Sequence, residues 1–239
     1  MTQLLVSVRD EHEALSAAEA GADLIDMKEP RAGALGALGF DAVERIAARL
    51  REHAPGRRLS ATVGDPLPPT AANVAATLAR VRRMAACGVD DVKVGIAADG
   101  APLIDALAAG RWGTATIVPV LIADDGVAPA LLARACAGPF AALMLDTFDK
   151  RGGSLIERRS EAELRGFVEA VRSSGKLCGL AGSLRTADLP VLRRLGADFA
   201  GFRGAVCDGD RAHALDPRRV AALKAALPAG ARFSAASPA

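Results

Sequence analysis

Three lysines of this chain each follow an aspartate at a spacing of two to four residues. The pairs are Asp26–Lys28, Asp91–Lys93 and Asp146–Lys150. Burial and nearby positive charge both disfavour a protonated amine, so they lower the pKa of a lysine. A neutral amine can attack a carbonyl carbon and form a Schiff base, and a second lysine nearby is one way to activate the first. The aspartates would hold the ammonium forms in place and carry protons.

The sequence around the first pair, "DLIDMKEP", gives this interpretation its geometry. If residues 23–28 form a strand, Asp26 and Lys28 point to the same face, because side chains two apart in a strand do so. A single lysine at a strand end is more often solvated or salt-bridged than catalytic. Three such lysines with acidic neighbours are harder to explain that way, and together they predict amine catalysis on a carbonyl compound.

Two later segments, "LAGSL" and "GFRGA", have features of an anion site. The first offers backbone N–H groups at Gly182 and the hydroxyl of Ser183, and the second offers Arg203 followed by Gly204. Glycines also simply end strands, but both segments follow predicted strands near the C-terminal end of the chain. Asp65, directly after the third predicted strand in "TVGD", completes the set of predicted substrate- or phosphate-binding residues.

The elements that must position these residues are short apolar runs separated by amphipathic, helical stretches. The predicted strands cover residues 4–8, 23–28, 59–64, 91–96, 116–122, 142–147, 176–182 and 199–204. They are nearly continuous in apolar character, as expected for strands buried on both faces. Alternation of strands and helices implies a parallel sheet.

Eight such units most naturally close into a (β/α)8 TIM barrel of the α/β class, with its active site at the C-terminal ends of the strands. A doubly wound open sheet is the competing interpretation, but it predicts a GxGxxG-type turn after an early strand, and the sequence has none. We expect one domain over residues 1–239, with a core at about 4–225 and a flexible C-terminal tail.

Composition limits the remaining possibilities. The chain has 239 residues, of which 51% are hydrophobic, so it can bury a large core. Its net charge is only +2 and its basic residues are scattered, which argues against nucleic acid as a partner. The four cysteines show no metal-binding or redox spacing, and no segment is typical of a signal peptide or a membrane span. We therefore expect a cytoplasmic protein without a bound metal or membrane partner.

At this point the motifs are recognisable as a set. "LLVSVRD", "GADLIDMKEPRAGALGA", "SATVGD", "VKVG", "MLDTFDK", "LAGSL" and "GFRGAVC" occur in an order and spacing that resemble the (5-formylfuran-3-yl)methyl phosphate synthase family. The resemblance spans roughly residues 4–225. It implies a TIM-barrel lyase that needs no cofactor and joins two molecules of glyceraldehyde 3-phosphate into a furan aldehyde phosphate. That product is a precursor of methanofuran, or of a related one-carbon carrier.

The resemblance also assigns roles to residues of this chain. It implies that Lys28 forms the Schiff base beside Asp26, and that Lys93 donates and accepts protons. We also expect Lys93 to be the nearby positive charge that lowers the pKa of Lys28. Asp146 and Lys150 match the aspartate and lysine that follow the sixth strand in the family. Without the resemblance, the residues indicate only amine catalysis on a small phosphorylated carbonyl compound.

Two other interpretations remain open from the sequence. A class I aldolase or phosphosugar isomerase would share the lysines and the phosphate loops. A non-catalytic barrel that binds a phosphorylated metabolite would have no need of three lysines with acidic neighbours. The expected partner is a small triose phosphate substrate, and the sequence is compatible with a homo-oligomer without requiring one.

Overall fold

Eight parallel strands close into a barrel in the order in which they occur along the chain. The computed structural model describes residues 2–227. The strands are β1 (Gln3–Val8), β2 (Leu24–Met27), β3 (Arg58–Thr62), β4 (Asp91–Ile96), β5 (Thr116–Ile122), β6 (Ala142–Asp146), β7 (Leu177–Leu180) and β8 (Phe199–Phe202). The predicted TIM barrel is confirmed.

Helices follow the strands and surround the barrel. They are α1 (Glu11–Glu19), α2 (Phe40–His53), α3 (Ala71–Ala85), α4 (Ala101–Ala109), α5 (Pro129–Ala137), α6 (Leu155–Arg158), α7 (Glu161–Ser173), α8 (Leu189–Leu195) and α9 (Pro217–Ala226). Three short 3-10 helices cover Pro30–Ala32, Thr186–Asp188 and Gly204–Val206.

The apolar side chains form two separate groups because each strand is buried on both of its faces. The larger group fills the layer between the strands and the helices, and it includes Ile25, Val92 and Leu143. The smaller group lies inside the barrel, where Leu5 and Phe199 pack with other inward-facing residues. Layers of inward-facing side chains are the usual filling of such barrels, so the interior is a packed core below the site.

Helix α6 was not predicted from the sequence, although a local signal for it exists. Ser154 and Glu157 form a capping box, in which each side chain bonds the backbone N–H of the other residue. Ser160 and Glu163 form a second capping box at the start of α7. Two S-x-x-E patterns in succession therefore mark two helix starts where periodicity indicates only one helix.

Asp91 lies away from the mouth of the barrel, contrary to the expectation that it would act with Lys93. It is the first residue of β4, and its carboxylate accepts hydrogen bonds from Arg58 Nε at 2.6 Å and Nη2 at 2.7 Å. Because β4 begins there, Asp91 is at the N-terminal end of the barrel. Its bidentate pair with Arg58 joins β3 to β4 and is structural.

Two expectations concern residues outside those that the structure describes. The predicted flexible tail falls in residues 228–239, and the prediction of one domain over residues 1–239 stays a prediction for the same reason. Between residues 2 and 227, no helix is long and apolar enough to cross a membrane.

The barrel interior yields a test of packing. A Cβ at Gly179 would lie 2.1 Å from Cε2 of Phe199, whereas a Cβ at Gly166, on α7, would meet nothing within 4 Å. We expect Gly179→Ala to lower the free energy of unfolding by about 1–3 kcal/mol through overpacking. Gly166→Ala, the matched control, should raise it by about 0.5–1 kcal/mol, because alanine favours a helix over glycine. Urea unfolding midpoints measure both, and equal midpoints for the two variants would contradict the packing argument.

Candidate active site

The carboxylate of Asp26 lies at the centre of a buried polar group that spans four strands. It accepts hydrogen bonds from Ser7 Oγ at 3.1 Å and from Ser60 Oγ at 2.7 Å. Lys93 Nζ lies 3.0 Å from its Oδ1 atom. Ser7, Asp26 and Ser60 are direct neighbours in the strand register, so their side chains form one row inside the barrel.

This environment keeps Asp26 ionised. Burial raises its pKa, but the nearby Lys93 and Lys28 charges and the Ser60 hydrogen bond outweigh burial, so the pKa lies below its usual value. Lys93 is the ion-pair partner of Asp26: its side chain is 3% exposed, and its ammonium contacts the Asp26 carboxylate.

A second aspartate–lysine pair stands on the other side of the barrel, at the end of β6. Lys150 Nζ donates to Asp146 Oδ1 at 2.6 Å and also to the carbonyl oxygen of Thr147. Asp146 Oδ1 accepts the backbone N–H of Thr147 at 2.7 Å as well, which fixes the carboxylate. The loop after β6 therefore presents a preformed ion pair to the mouth of the barrel.

Of the three lysines that line the cavity at the mouth of the barrel, Lys28 is the one whose amine has no ion-pair partner among residues 2–227. It follows β2 directly and is only 7% exposed, yet within residues 2–227 its side chain makes no hydrogen bond or ion pair. Burial is the main reason that its pKa falls from 10.5 to about 8; Asp146 and Asp26 raise it, while Lys150 and Arg211 lower it further. About a tenth of this amine is therefore neutral at pH 7, against far less than one part in a thousand for an ordinary lysine.

The source of the shifted pKa differs from the sequence expectation. Lys93 was expected to be the positive charge that activates Lys28. In the structure its charge is offset by Asp26, and the cations that lower the pKa of Lys28 are Lys150 and Arg211. Burial acts more strongly than either of them.

A cavity of about 830 Å³ opens at the C-terminal ends of the strands and contains these groups. Eight of the ten predicted site residues line it together, and a ninth, Arg203, lines it with its side-chain donors directed elsewhere. The eight are Asp26, Lys28, Lys93, Asp146, Lys150, Gly182, Ser183 and Gly204. The prediction that one mouth brings the lysines together is thus met by the geometry.

The loops after β7 and β8 present backbone N–H groups to this cavity. Gly182 has φ of 112°, and Ser183, with φ of 47°, is the only non-glycine residue between 2 and 227 with a positive φ. A positive φ on serine is a strained conformation, and such strained residues cluster at functional sites. No protein acceptor in the described chain takes the N–H groups of residues 182–184 or 204–205. Such a concave set of free N–H groups is suited to an anion.

Arg203 is not a free anion ligand, and the sequence prediction needs correction here. Its guanidinium pairs with the buried carboxylate of Glu13, with Nη1 at 2.5 Å and Nη2 at 3.2 Å. The remaining N–H groups donate to the carbonyl oxygens of Ser7, Arg211 and His213. All five donors of the guanidinium are thereby engaged inside the protein, which leaves none for a phosphate.

Asp65 is also placed differently from its prediction, because it does not line the cavity. Its carboxylate accepts the backbone N–H groups of Leu35 at 2.6 Å and Ala34 at 3.3 Å. A Cβ at residue 33 would lie 1.9 Å from Asp65 Oδ2, so only glycine with its φ of 122° fits there. Asp65 therefore holds the glycine-rich loop after β2 in place.

Sequence reasoning missed four residues that shape the site. Ser7 and Ser60 interrupt apolar strands at inward-facing positions, and that interruption is a signal which could have found them. Glu13 looks like an ordinary acidic residue in the first turn of α1, with no sign that it is buried. Arg211 lies in a loop of mixed polar residues and has no local signal at all.

Solved structures confirm the fold class. The chain superposes on phosphoribosyl anthranilate isomerase from Thermus thermophilus with a TM-score of 0.65 and 15% identity, covering 94% of this chain and 98% of the other. Thiamine phosphate pyrophosphorylase from Pyrococcus furiosus gives a TM-score of 0.63 and 14% identity, with 94% of each chain covered. At these identities the likeness shows the fold alone. Within the described part of the chain, no group of three or more His, Cys, Asp or Glu side chains could hold a metal ion.

Barrel and site together define an enzyme with inward-facing lysines, and sequence relatives give its family. The family model described as 4-HFC-P synthase matches residues 4–224. A Methylorubrum extorquens protein provisionally named (5-formylfuran-3-yl)methyl phosphate synthase is 44% identical over 237 residues, covering 98% of this chain and 95% of that protein. The synthase of that name from Methanosarcina acetivorans is 36% identical, with 93% and 98% covered. The chain belongs to the (5-formylfuran-3-yl)methyl phosphate synthase family.

The burial of Lys28 has a measurable cost in stability. A pKa lowered from 10.5 to about 8 corresponds to about 3 kcal/mol. The cost is present in full below pH 8 and disappears as the pH rises toward 10.5, because only then does the unfolded state also lose the proton. We expect Lys28→Met to raise the free energy of unfolding by up to about 3 kcal/mol at pH 7 and by only about 1 kcal/mol at pH 10.

Urea unfolding at the two pH values measures this difference. Lys176→Met is the control, since Lys176 directly precedes β7 at the opposite end of the barrel and is absent from the cavity wall. Its effect should stay within about 0.5 kcal/mol at both pH values. A gain from Lys28→Met that is independent of pH would show that packing, and not the charge, is responsible.

The Arg203–Glu13 pair leads to a second test. Arg203→Met should lower the free energy of unfolding by roughly 2–4 kcal/mol, somewhat less than the full cost of an unpaired buried charge. Glu13 then keeps only the partly exposed Arg9, whose Nε lies 3.1 Å from Oε1, as a counter-ion. Combining it with Glu13→Gln should recover part of the loss. Thermal and urea unfolding of the two single variants and the double variant form the cycle. If Arg203→Met keeps its stability but binds triose phosphate at least about tenfold more weakly, the original phosphate role is correct.

Proposed function

We propose that this enzyme condenses two molecules of glyceraldehyde 3-phosphate into (5-formylfuran-3-yl)methyl phosphate. One phosphate and two water molecules leave, and the carbon atoms undergo no net oxidation or reduction, so the stoichiometry requires no redox cofactor. The reaction class is that of a carbon–oxygen lyase acting on phosphates. The product would enter the synthesis of methanofuran or a related one-carbon carrier, and we propose a cytoplasmic location.

The observation that carries the proposal is the isolated amine of Lys28 between two aspartate–lysine pairs. Its pKa of about 8 makes it a nucleophile at ordinary pH, and the carbonyl carbon of a triose phosphate is the electrophile that it would attack. Schiff-base formation expels the carbonyl oxygen as water, which requires proton donors close by. Lys93 and Lys150 are ammonium donors already oriented by Asp26 and Asp146.

The Asp26–Lys93 and Asp146–Lys150 pairs would serve different steps of the reaction. Asp26 is held ionised by three donors, so it can stabilise the positive charge of an iminium at Lys28. Lys93, hydrogen-bonded to Asp26, is the proton carrier for steps at the first substrate. Asp146 and Lys150 stand at the end of β6, where they would serve proton transfers during elimination and ring closure. The phosphate of the first substrate would accept hydrogen bonds from the free backbone N–H groups of Gly182, Ser183 and Gly204.

A direct assay tests this function against the aldolase and isomerase alternatives. Purified enzyme receives glyceraldehyde 3-phosphate alone, and the furan absorbance and released phosphate are followed together. One phosphate released per furan formed is the expected ratio. Interconversion of triose phosphates without furan or phosphate would favour an isomerase, and unchanged substrate would favour a non-catalytic barrel.

Substitutions at Lys28 and at Lys93 should impair the enzyme in different ways. Lys28→Ala and Lys28→Arg remove the nucleophile, because a guanidinium stays protonated at any workable pH. Neither variant should give an adduct when borohydride and substrate are added together. Lys93→Ala should lose roughly 10²–10⁴ in rate, the usual contribution of a general acid or base. It should still form the adduct, but only at raised pH, because the uncompensated charge of Asp26 then raises the pKa of Lys28.

Lys93→Arg is the matched control for this pair of effects. It keeps a positive charge opposite Asp26, so the adduct should form at the normal pH while turnover stays low, since arginine does not release its proton. Intact mass and peptide mapping after reduction locate the adduct. An adduct on Lys93 of the unaltered enzyme, with Lys28 unmodified, would reverse the two roles.

A further inference from the structure

Arg211, in the loop between β8 and α9, is a partly buried arginine of the cavity wall, and it has no carboxylate partner among residues 2–227. Other arginines around the cavity are paired: Arg203 with Glu13, Arg185 with Glu157 at 2.7 Å, and Arg219 with Asp208 and Asp216. Arg151 also lacks such a partner but is exposed at the rim. Arg211 is half-buried, and no aspartate or glutamate in the described chain lies within ion-pair distance of it.

The side chain of Arg211 makes one hydrogen bond within residues 2–227. Its Nη2 donates to the carbonyl oxygen of Gly33 at 3.0 Å, in the loop after β2. The other four N–H groups of this guanidinium therefore have no protein acceptor in the described chain. Arg211 is partly buried, and this burial lowers its pKa, because a desolvated cation is less stable than a hydrated one. A desolvated cation with free donors is a site for an anion.

The backbone of the loop that carries Arg211 is fixed by hydrogen bonds from two other arginines. Arg203 Nε donates to the carbonyl oxygen of Arg211 at 2.8 Å, and Arg203 Nη2 donates to that of His213 at 2.7 Å. Arg9 Nη1 donates to the carbonyl oxygen of Ala212 at 2.5 Å. These three bonds fix the backbone on both sides of the Arg211 side chain. Arg203 thus acts through Arg211, as a positioning residue.

Arg211 and the Gly182–Ser183 turn approach Lys28 from different sides. Arg211 contacts the loop after β2, whereas Ser183 Oγ donates to the carbonyl oxygen of Lys150 in the loop after β6. β2 and β6 are four strands apart in a ring of eight, so these loops face each other across the barrel. The amine of Lys28 lines the same cavity and is within electrostatic range of both sides, since the charges of Lys150 and Arg211 both lower its pKa.

We propose that Arg211 binds the phosphate of a second triose phosphate, across the cavity from the Gly182–Ser183 turn. The inference rests on the proposed function, because only a reaction of two phosphorylated substrates needs two anion sites around one amine. The cavity of about 830 Å³ has room for two such molecules. The turn holds the phosphate of the substrate bound to Lys28, and Arg211 holds the phosphate of its partner.

Binding of inorganic phosphate tests this site without turnover. Isothermal titration calorimetry of the full chain should show two phosphate ions per unaltered chain and one per chain for Arg211→Gln. Arg185→Gln is the matched control, since Arg185 lines the same cavity but is paired with Glu157, and it should still bind two. Two ions bound by Arg211→Gln, or one bound by the unaltered chain, would overturn the proposal, the second because both groups would then hold a single phosphate.

Because Arg211→Gln could misfold, a second measurement uses only the unaltered chain. Phenylglyoxal modifies free guanidinium groups, so Arg211 should react readily in chloride buffer and at least about tenfold more slowly in phosphate of equal ionic strength. Peptide mapping gives the rate for Arg211, with the exposed Arg151 and the paired Arg185 as internal references. Equal rates at Arg211 in the two buffers would contradict the proposal.

Kinetics separate this inference from the proposed function. Arg211→Gln should still give a borohydride-trapped adduct on Lys28 with one triose phosphate, while furan formation falls at least about tenfold at low substrate concentration. Arg211→Lys, which keeps the charge but loses the planar fork, should give an intermediate rate. Absence of any adduct in the unaltered enzyme would refute the Schiff base but leave the phosphate count decisive for Arg211. An unchanged furan rate in Arg211→Gln would overturn the second site.

Discussion

The carboxylate of Asp26 is the constraint on which the catalytic centre depends. It ties β1, β2, β3 and β4 together through Ser7, Ser60 and Lys93, at the level where the packed interior gives way to the cavity. Three donors use most of the acceptor capacity of this buried carboxylate, so it fixes its neighbours, and its lowered pKa keeps it deprotonated. Because Asp26 takes Lys93 as its counter-ion, Lys28 is left as the unpaired amine.

The burial of Lys28 without an ion-pair partner lowers the stability of the fold but makes the amine more reactive. Lys28 is buried without a partner of its own, although buried charges are normally paired. Asp146 raises the pKa of Lys28, but its ion-pair partner Lys150 lowers that pKa, so the two charges partly cancel at Lys28. Natural sites commonly retain such destabilised groups, since the property that lowers stability is the one the reaction uses.

The fold was predictable because its signals are local, whereas the pairing of charges was not. Apolar runs and helical periodicity give eight strands whose predicted bounds agree closely with the structure. Spacing alone suggested that Asp26 serves Lys28 and that Asp91 serves Lys93. In the barrel, neighbouring strands decide instead: Asp26 pairs with Lys93, and Asp91 pairs with Arg58. Arg203 was read as an anion ligand because its partner, Glu13, lies 190 residues away in sequence.

The distance of that pair along the chain has a consequence for synthesis. Glu13 is synthesised 190 residues before its buried counter-ion Arg203. Arg203 emerges together with β8, the strand that closes the barrel against β1. We expect Lys28 to be open to water until then, and a hydrated lysine has its ordinary pKa and is almost fully protonated at neutral pH. We expect nascent and truncated chains to carry the catalytic lysine in a harmless state, with its reactivity switched on only when translation has delivered the complete barrel.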